Sequence, residues 1–437
     1  MNMCLALSLL LLSVAGGTGL TYAYDDDGDL IARLAAGSCI GLAAFGLIGF
    51  VISYGIGFNN VAIVAAAVIA GVPAAFARNR LRGEIRGFIT NITSKGYRPS
   101  WVSAFWTLVL ALLFIVFARA GFYSGGSLYT GVEGNIGDLP FHLSVIFRFV
   151  LGGNVPPEDP TYAGVRLTYP FLADFVTATF LKAGASLRAA MLLESFPLAA
   201  AFVVLLHRWS LALTRDRIAA FLTPLLVLLS GGLGWVELFP DKRKASESLL
   251  RFFWHLPRNY TITHRLLNYR WANCVTSLMV TERSLLMGLG LALIILTLWW
   301  KYIKGGDETG TAGPRSISQE PGQAGRPEAK DPTTGPPSRS PRDPRTMAAA
   351  GLIAGLLPLA HAHSFVVIMV LGGCLALLSK RRHGWFWFFG MAILVGAPQI
   401  LWATRNSAVH ASSFFEFTFG WEKAQDSFLW FWLKNTG

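Results

Sequence analysis

A carboxylate and an imidazole stand four residues apart in Gly137-Asp138-Leu139-Pro140-Phe141-His142, a polar passage set among long apolar stretches. On a helix that spacing puts both side chains on one face, where they could share a metal or a substrate phosphate, and where the carboxylate could serve as a general base. Ionisable groups are costly at the edge of hydrocarbon, so the pair asks for a chemical reason. A structural reading competes with the chemical one. Asp138 suits a helix N-cap with Pro140 in the first turn, and His142 suits an interface with its tip in water.

The surrounding chain is 53% hydrophobic and only 14% charged over 437 residues, and apolar stretches near spanning length recur along it. This predicts an all-α fold, a polytopic transmembrane helical bundle with interfacial helices in its outer loops. Counted by window, it has about eleven spans, at roughly 2–22, 36–57, 60–77, 101–119, 168–185, 189–207, 218–237, 285–303, 347–361, 364–379 and 384–403. The first span lacks the basic leader of a signal peptide and is read as uncleaved. The formal charge of +12 sits in short blocks between spans, such as Arg78, Arg80, Arg82 and Arg86, or Lys380, Arg381 and Arg382. That is the positive-inside pattern; no basic patch interleaved with stacking aromatics points to nucleic acid. Four cysteines show no metal spacing.

With the basic blocks in the cytoplasm, the loop 120–167 that carries Asp138 and His142 lies outside, as do 238–284 and the turn at 361–363. Within 167–207 the crossing number must be odd, although two apolar segments occur there, so one of them is expected to be re-entrant or interfacial. The chain divides into N-terminal spans with a basic loop (1–100), a core with two large outer loops (101–304), a linker (305–346) and C-terminal spans with an aromatic outer tail (347–437). The linker is so rich in Gly, Pro, Ser and charge that it is expected to be disordered. The end of the chain, straight after the apolar run Phe428 to Leu433, suggests a longer protein.

The outer loops supply further candidates. An apolar helix at about Pro140 to Leu151 is too short to span, and an acidic proline-rich turn, Pro156-Pro157-Glu158-Asp159-Pro160, precedes Tyr169-Pro170-Phe171. The second loop holds Arg258, Arg270 and Trp271; the guanidinium fork fits phosphate, and aromatic faces suit sugar rings and lipid headgroups alike. A solvated loop with an aromatic belt is the competing reading. Glu282-Arg283 reads as a local ion pair at the start of a span. His361-Ala362-His363 is a polar turn in an apolar context, where each side chain needs a partner. Asp174, Glu194 and Lys182 are the few charges inside apolar segments, a transporter-like trait that reads equally as packed polar contact.

The Gly137-to-His142 run, the Pro156-to-Pro160 turn, the Tyr169-Pro170-Phe171 continuation and the His361-Ala362-His363 turn resemble uncharacterised bacterial members of the GT-C fold, the polytopic membrane glycosyltransferases. The resemblance covers about 101–403, with its motifs concentrated in 120–175. It implies an enzyme of the bacterial inner membrane that takes a sugar from a polyprenyl-phosphate-type donor on the extracytoplasmic face. Asp138 would be the first-loop acid acting as base or metal ligand, and His142 its helper or co-ligand to a divalent cation, Mg or Mn. Arg258, Arg270, His361 and His363 would face the phosphate, with Trp271 and Tyr169 on the sugar. The family's second acidic residue is missing, since Leu139 and Pro140 follow Asp138, and residues 1–437 hold no soluble C-terminal domain. A transporter or flippase of lipid-linked or polar solutes, and a non-catalytic assembly subunit of the same fold, are the alternatives.

Overall fold

The computed structural model describes residues 3–94, 96, 98–261, 268, 271–304, 344–405 and 423–436. Nearly all of its regular structure is helical. Helices α1 (Met3–Thr21), α2 (Leu30–Ile56) and α3 (Asn60–Phe76) precede α4 (Arg78–Thr93) and α5 (Trp101–Ala118). A small hairpin, β1 (Phe122–Ser124) and β2 (Ser127–Tyr129), leads to α6 (Asn135–Val150), α7 (Leu172–Lys182), α8 (Leu187–Thr214) and α9 (Arg217–Leu228). Short helices α10 (Leu238–Lys244) and α11 (Leu249–Trp254) precede α12 (Arg283–Lys304). The chain ends in α13 (Pro344–Gly355), α14 (Leu357–Ala360), α15 (Ala362–Leu378), α16 (Arg382–Thr404) and α17 (Phe428–Thr436). Most of the expected linker, 305–343, lies outside the described residues.

Six helices are long and apolar enough to cross a membrane, or eight if each of two bent pairs counts as one span. The expectation of about eleven spans is therefore too high. The apolar window at 168–185 folds as α7, only 11 residues long and buried within protein along Leu172–Phe180. It is stopped by Gly184 at φ +103°. The stretch 167–207 thus holds one spanning helix, α8, and one short helix. The windows at 60–77 and 218–237 belong to the bent pairs, and those at 347–361 and 364–379 are helical stretches shorter than 18 residues.

Small residues let α1, α2 and α3 pack backbone to backbone, the usual solution where lipid removes the hydrophobic drive between helices. A Cβ at Gly16 would lie 1.8 Å from the carbonyl oxygen of Ala70, so that approach requires glycine.

Helices α8 and α12 form the central pair and run in the same direction. Near their starts Arg283 meets Glu194; toward their ends Arg208 and Lys301 both meet Asp25, in the α1–α2 connection. Arg208 grips Asp25 with two bonds of 2.5 and 2.7 Å, and Lys301 adds a third of 2.8 Å. Burial alone would raise the Asp25 pKa, but the two cations outweigh it and hold the carboxyl at about 2, below its ordinary 3.8.

At the opposite end, Gly125 and Gly126, both at positive φ, make the tight turn of the hairpin, in which Phe122 pairs with Tyr129. Asn135 then fixes where α6 begins, since its buried amide donates to the Ala120 carbonyl at 2.9 Å. After α6 the chain closes a loop in which Asp159 accepts from Thr161 and Tyr162. Arg166 latches that loop to α16, lying 4.7 Å from the Trp402 ring and donating to the Trp402 carbonyl at 2.6 Å.

Asp25→Asn leaves two partly buried cations facing a neutral group and is expected to cost about 1–3 kcal/mol. Because the folded pKa is depressed, the Asp25 contribution is fully present above pH 3.8 and is lost as pH falls toward about 2. Thermal unfolding of both proteins against pH checks this: the gap should be constant near neutrality and close at the acid end.

Candidate functional site

Asp138 does not cap its helix. Helix α6 starts at Asn135, five residues before the expected Pro140, with Gly134 at the cap position and no side-chain cap bond. Asp138 therefore lies in the first turn, where a negative charge is favoured by the helix dipole. It is half-buried, and it has no hydrogen-bond or ion-pair partner among the described residues.

His142, one turn on, points into protein and is 2% exposed. Its Nδ1 lies 2.8 Å from Asp174 Oδ2 on α7. Arg283, the first residue of α12, faces the other Asp174 oxygen at 3.5 Å and donates to Glu194 Oε2 on α8 at 2.8 Å. It also donates to Thr177, while the Ser195 hydroxyl donates to the same Glu194 oxygen at 2.7 Å. His142, Asp174, Arg283 and Glu194 are each no more than 3% exposed. This tetrad ties α6, α7, α8 and α12 together.

Charge balance explains its composition. Two carboxylates and one guanidinium leave a net negative charge, and burying that in low dielectric costs several kcal/mol. An imidazolium at His142 brings the formal sum to zero. Burial opposes that charge, but the adjacent Asp174 outweighs burial and raises the His142 pKa above its ordinary value. Polar satisfaction is incomplete: Asp174 Oδ1, Glu194 Oε1 and Arg283 Nε and Nη1 are buried without hydrogen bonds. A network in that state is a poor source of stability compared with apolar packing, which favours a functional reason for it.

The other sequence candidates distribute unevenly. Tyr169 joins His142, with ring centroids 6.0 Å apart, and its hydroxyl lies 3.4 Å from both Glu282 and Ser284. Arg283 thus pairs across the bundle and not with its neighbour Glu282. His361 caps α15, its Nδ1 accepting from the Ser364 N–H at 3.2 Å. It seats on α12, where a Cβ at Gly288 would lie 2.5 Å from the His361 Cβ. His363 is exposed, 5.5 Å from His361 ring to ring. Arg258 is taken up locally by Asp241 at 2.8 Å and Glu237 at 3.2 Å, with its guanidinium 5.0 Å from the Tyr260 ring. Trp271 donates to the Leu229 carbonyl at 3.2 Å, while Arg270 lies outside the described residues. The two long loops meet just ahead of Asp138, where Asn259 donates to Glu133 at 2.8 Å.

No group of three or more His, Cys, Asp and Glu side chains assembles among the described residues. His142, expected to share a metal with Asp138, is 2% exposed with its Nδ1 on Asp174, which leaves only Nε2 as a ligand, and Mg is a hard ion that prefers oxygen ligands. The partners of Arg283 escaped sequence reasoning, although the signal was present: Asp174 and Glu194 are ionisable groups in apolar segments, and each needed an opposite charge.

Arg283→Met should destabilise the protein by about 3–5 kcal/mol by stranding two buried carboxylates. The His142 contribution has the opposite pH sign to that of Asp25. With its folded pKa raised, it is full below pH 6.5 and lost as pH rises through the folded value. His142→Gln should flatten the alkaline decline of the melting temperature, and an unchanged decline would remove His142 from the charge balance.

No family model matches the chain, and no curated protein or solved structure is found to match it.

Proposed function

We propose that this multi-pass membrane protein is a glycosyltransferase, moving a sugar from a polyprenyl-phosphate-type donor to an acceptor on the extracytoplasmic face of a bacterial inner membrane. The observation that carries the reading is the position of Asp138. It is a carboxylate without a protein partner among the described residues, in the first turn of a helix too short to span, where the two long loops meet. Short helix α6, between spans α5 and α8 and packed on the buried α7, forms a shelf suited to a headgroup-level reaction.

In this reading Asp138 takes the proton of the acceptor hydroxyl as its oxygen bonds to the anomeric carbon. The bond from that carbon to the phosphate oxygen breaks, and the lipid phosphate leaves with the electron pair. His142 is a positioning residue, anchoring α6 through Asp174. Exposed His363 and, from outside the described residues, Arg270 are candidates for the leaving phosphate, with Tyr169 and Trp271 for the sugar. Arg258, already engaged by two carboxylates, is a weaker candidate than the sequence implied. A divalent cation has no role in this scheme.

The incompletely satisfied charges at Asp174, Glu194 and Arg283 favour a second reading, a transporter or flippase of lipid-linked or polar solutes. The two readings separate cleanly. Asp138→Asn should lower transfer of a labelled lipid-linked sugar about 10²-fold or more, with the melting temperature of the purified protein nearly unchanged. Transfer at the unmutated rate would end the catalytic assignment. Flux in proteoliposomes that survives Asp138→Asn and vanishes in Glu194→Gln would instead establish the transporter.

A further inference from the structure

Helix α4 follows span α3 directly, turns away from it by 77°, and buries none of its residues. A helix leaving a span near a right angle runs along the bilayer plane. Its sequence suits that position. Leu81, Ile85, Phe88, Ile89 and Ile92 fall on one stripe. Four of them remain uncovered by protein, with Ile85 38%, Phe88 43%, Ile89 49% and Ile92 40% exposed. Arg82 and Arg86 line one flank of the stripe, Arg78 stands at its start in the first turn, and Arg80 lies on the opposite face.

The lone carboxylate of α4 does not neutralise these arginines. Glu84 is held by Arg33 of α2 at 3.4 Å. Arg33 is itself 4% exposed, 4.2 Å from the Tyr22 ring, and donates to Thr21 at 3.2 Å. Glu84 therefore compensates a buried charge of the bundle and fixes α4 to it. No ion pair involves Arg78, Arg80, Arg82 or Arg86 among the described residues.

We infer that α4 is a binding surface for anionic phospholipid. The apolar stripe enters the acyl boundary, and the arginines take headgroup phosphates, which the guanidinium fork binds with paired bonds. The Glu84–Arg33 pair transmits that attachment to α2, so the N-terminal helices are held at a set depth by the charge of the leaflet. The inference is independent of the glycosyltransferase reading, since it uses no residue of the tetrad or of the shelf.

The test uses the full-length protein in nanodiscs of phosphatidylcholine alone or of an equal mixture with phosphatidylglycerol, read by amide hydrogen exchange. Exchange across 81–92 is expected to slow by about tenfold in the anionic mixture, and the difference should shrink at high salt. In R78Q/R82Q/R86Q the dependence on phosphatidylglycerol should be lost while exchange in α8 and α12 stays as in the parent, which shows that the bundle is folded. Equal exchange in the two lipids overturns the inference, and so does a triple variant that keeps the full lipid response. Inorganic phosphate added to the phosphatidylcholine discs should give no protection; protection there would mean a soluble anion site and would also overturn it.

Discussion

Arg283 is 3% exposed and cannot place its charge in bulk solvent, so two other helices must bring carboxylates to it. That requirement organises the bundle. Asp174 and Glu194 come from α7 and α8, and His142 comes from α6 to complete the charge balance. Removing any one member leaves an uncompensated ion in low dielectric, a larger penalty than the loss of one hydrogen bond. The far end of the same helix pair repeats the rule with reversed signs, two cations converging on Asp25. Helices α8 and α12 are thus pinned at both ends, and neither can slide along the other without exposing a charge to hydrocarbon.

The shelf at the first long loop depends on that pinning. Helix α6 is too short to span and is held from beneath by His142, from behind by Asn135 on Ala120, and ahead of its start by the Glu133–Asn259 contact. Asp138 gains a fixed position without spending its own oxygens on the scaffold. A buried pair that anchors a helix beside a freer carboxylate is the division of labour the proposed role of Asp138 requires.

Much of this was legible in the residues. Membrane class, the six long spans and a short helix after the glycine-rich approach follow from hydropathy and length. Other features were not, for identifiable reasons. A window of apolar residues does not distinguish a helix bathed in lipid from one buried in protein, so α7 was counted as a span. The adjacency of Glu282 and Arg283 suggested a local pair, yet Glu282 lies just before α12, while Arg283, its first residue, turns inward to charges on other helices. The start of α6 was set by a long-range bond from Asn135 that no local pattern encodes, and this moved Asp138 from the cap into the first turn.

The Arg166 latch carries a consequence for the order of assembly. Its carbonyl partner on Trp402 is 236 residues further along the chain. During synthesis the first long loop is therefore made and exposed well before the helix that secures it exists. Until α16 arrives, the segment between α6 and α7 lacks this latch and is held by its own Asx turn, its short-range bonds and the contacts of Tyr169 with Glu282 and Ser284. The first long loop gains its Arg166 anchor only once α16 has been made, so a ribosome stalled before α16 would leave a bundle whose clamps are set but whose loop is not yet latched.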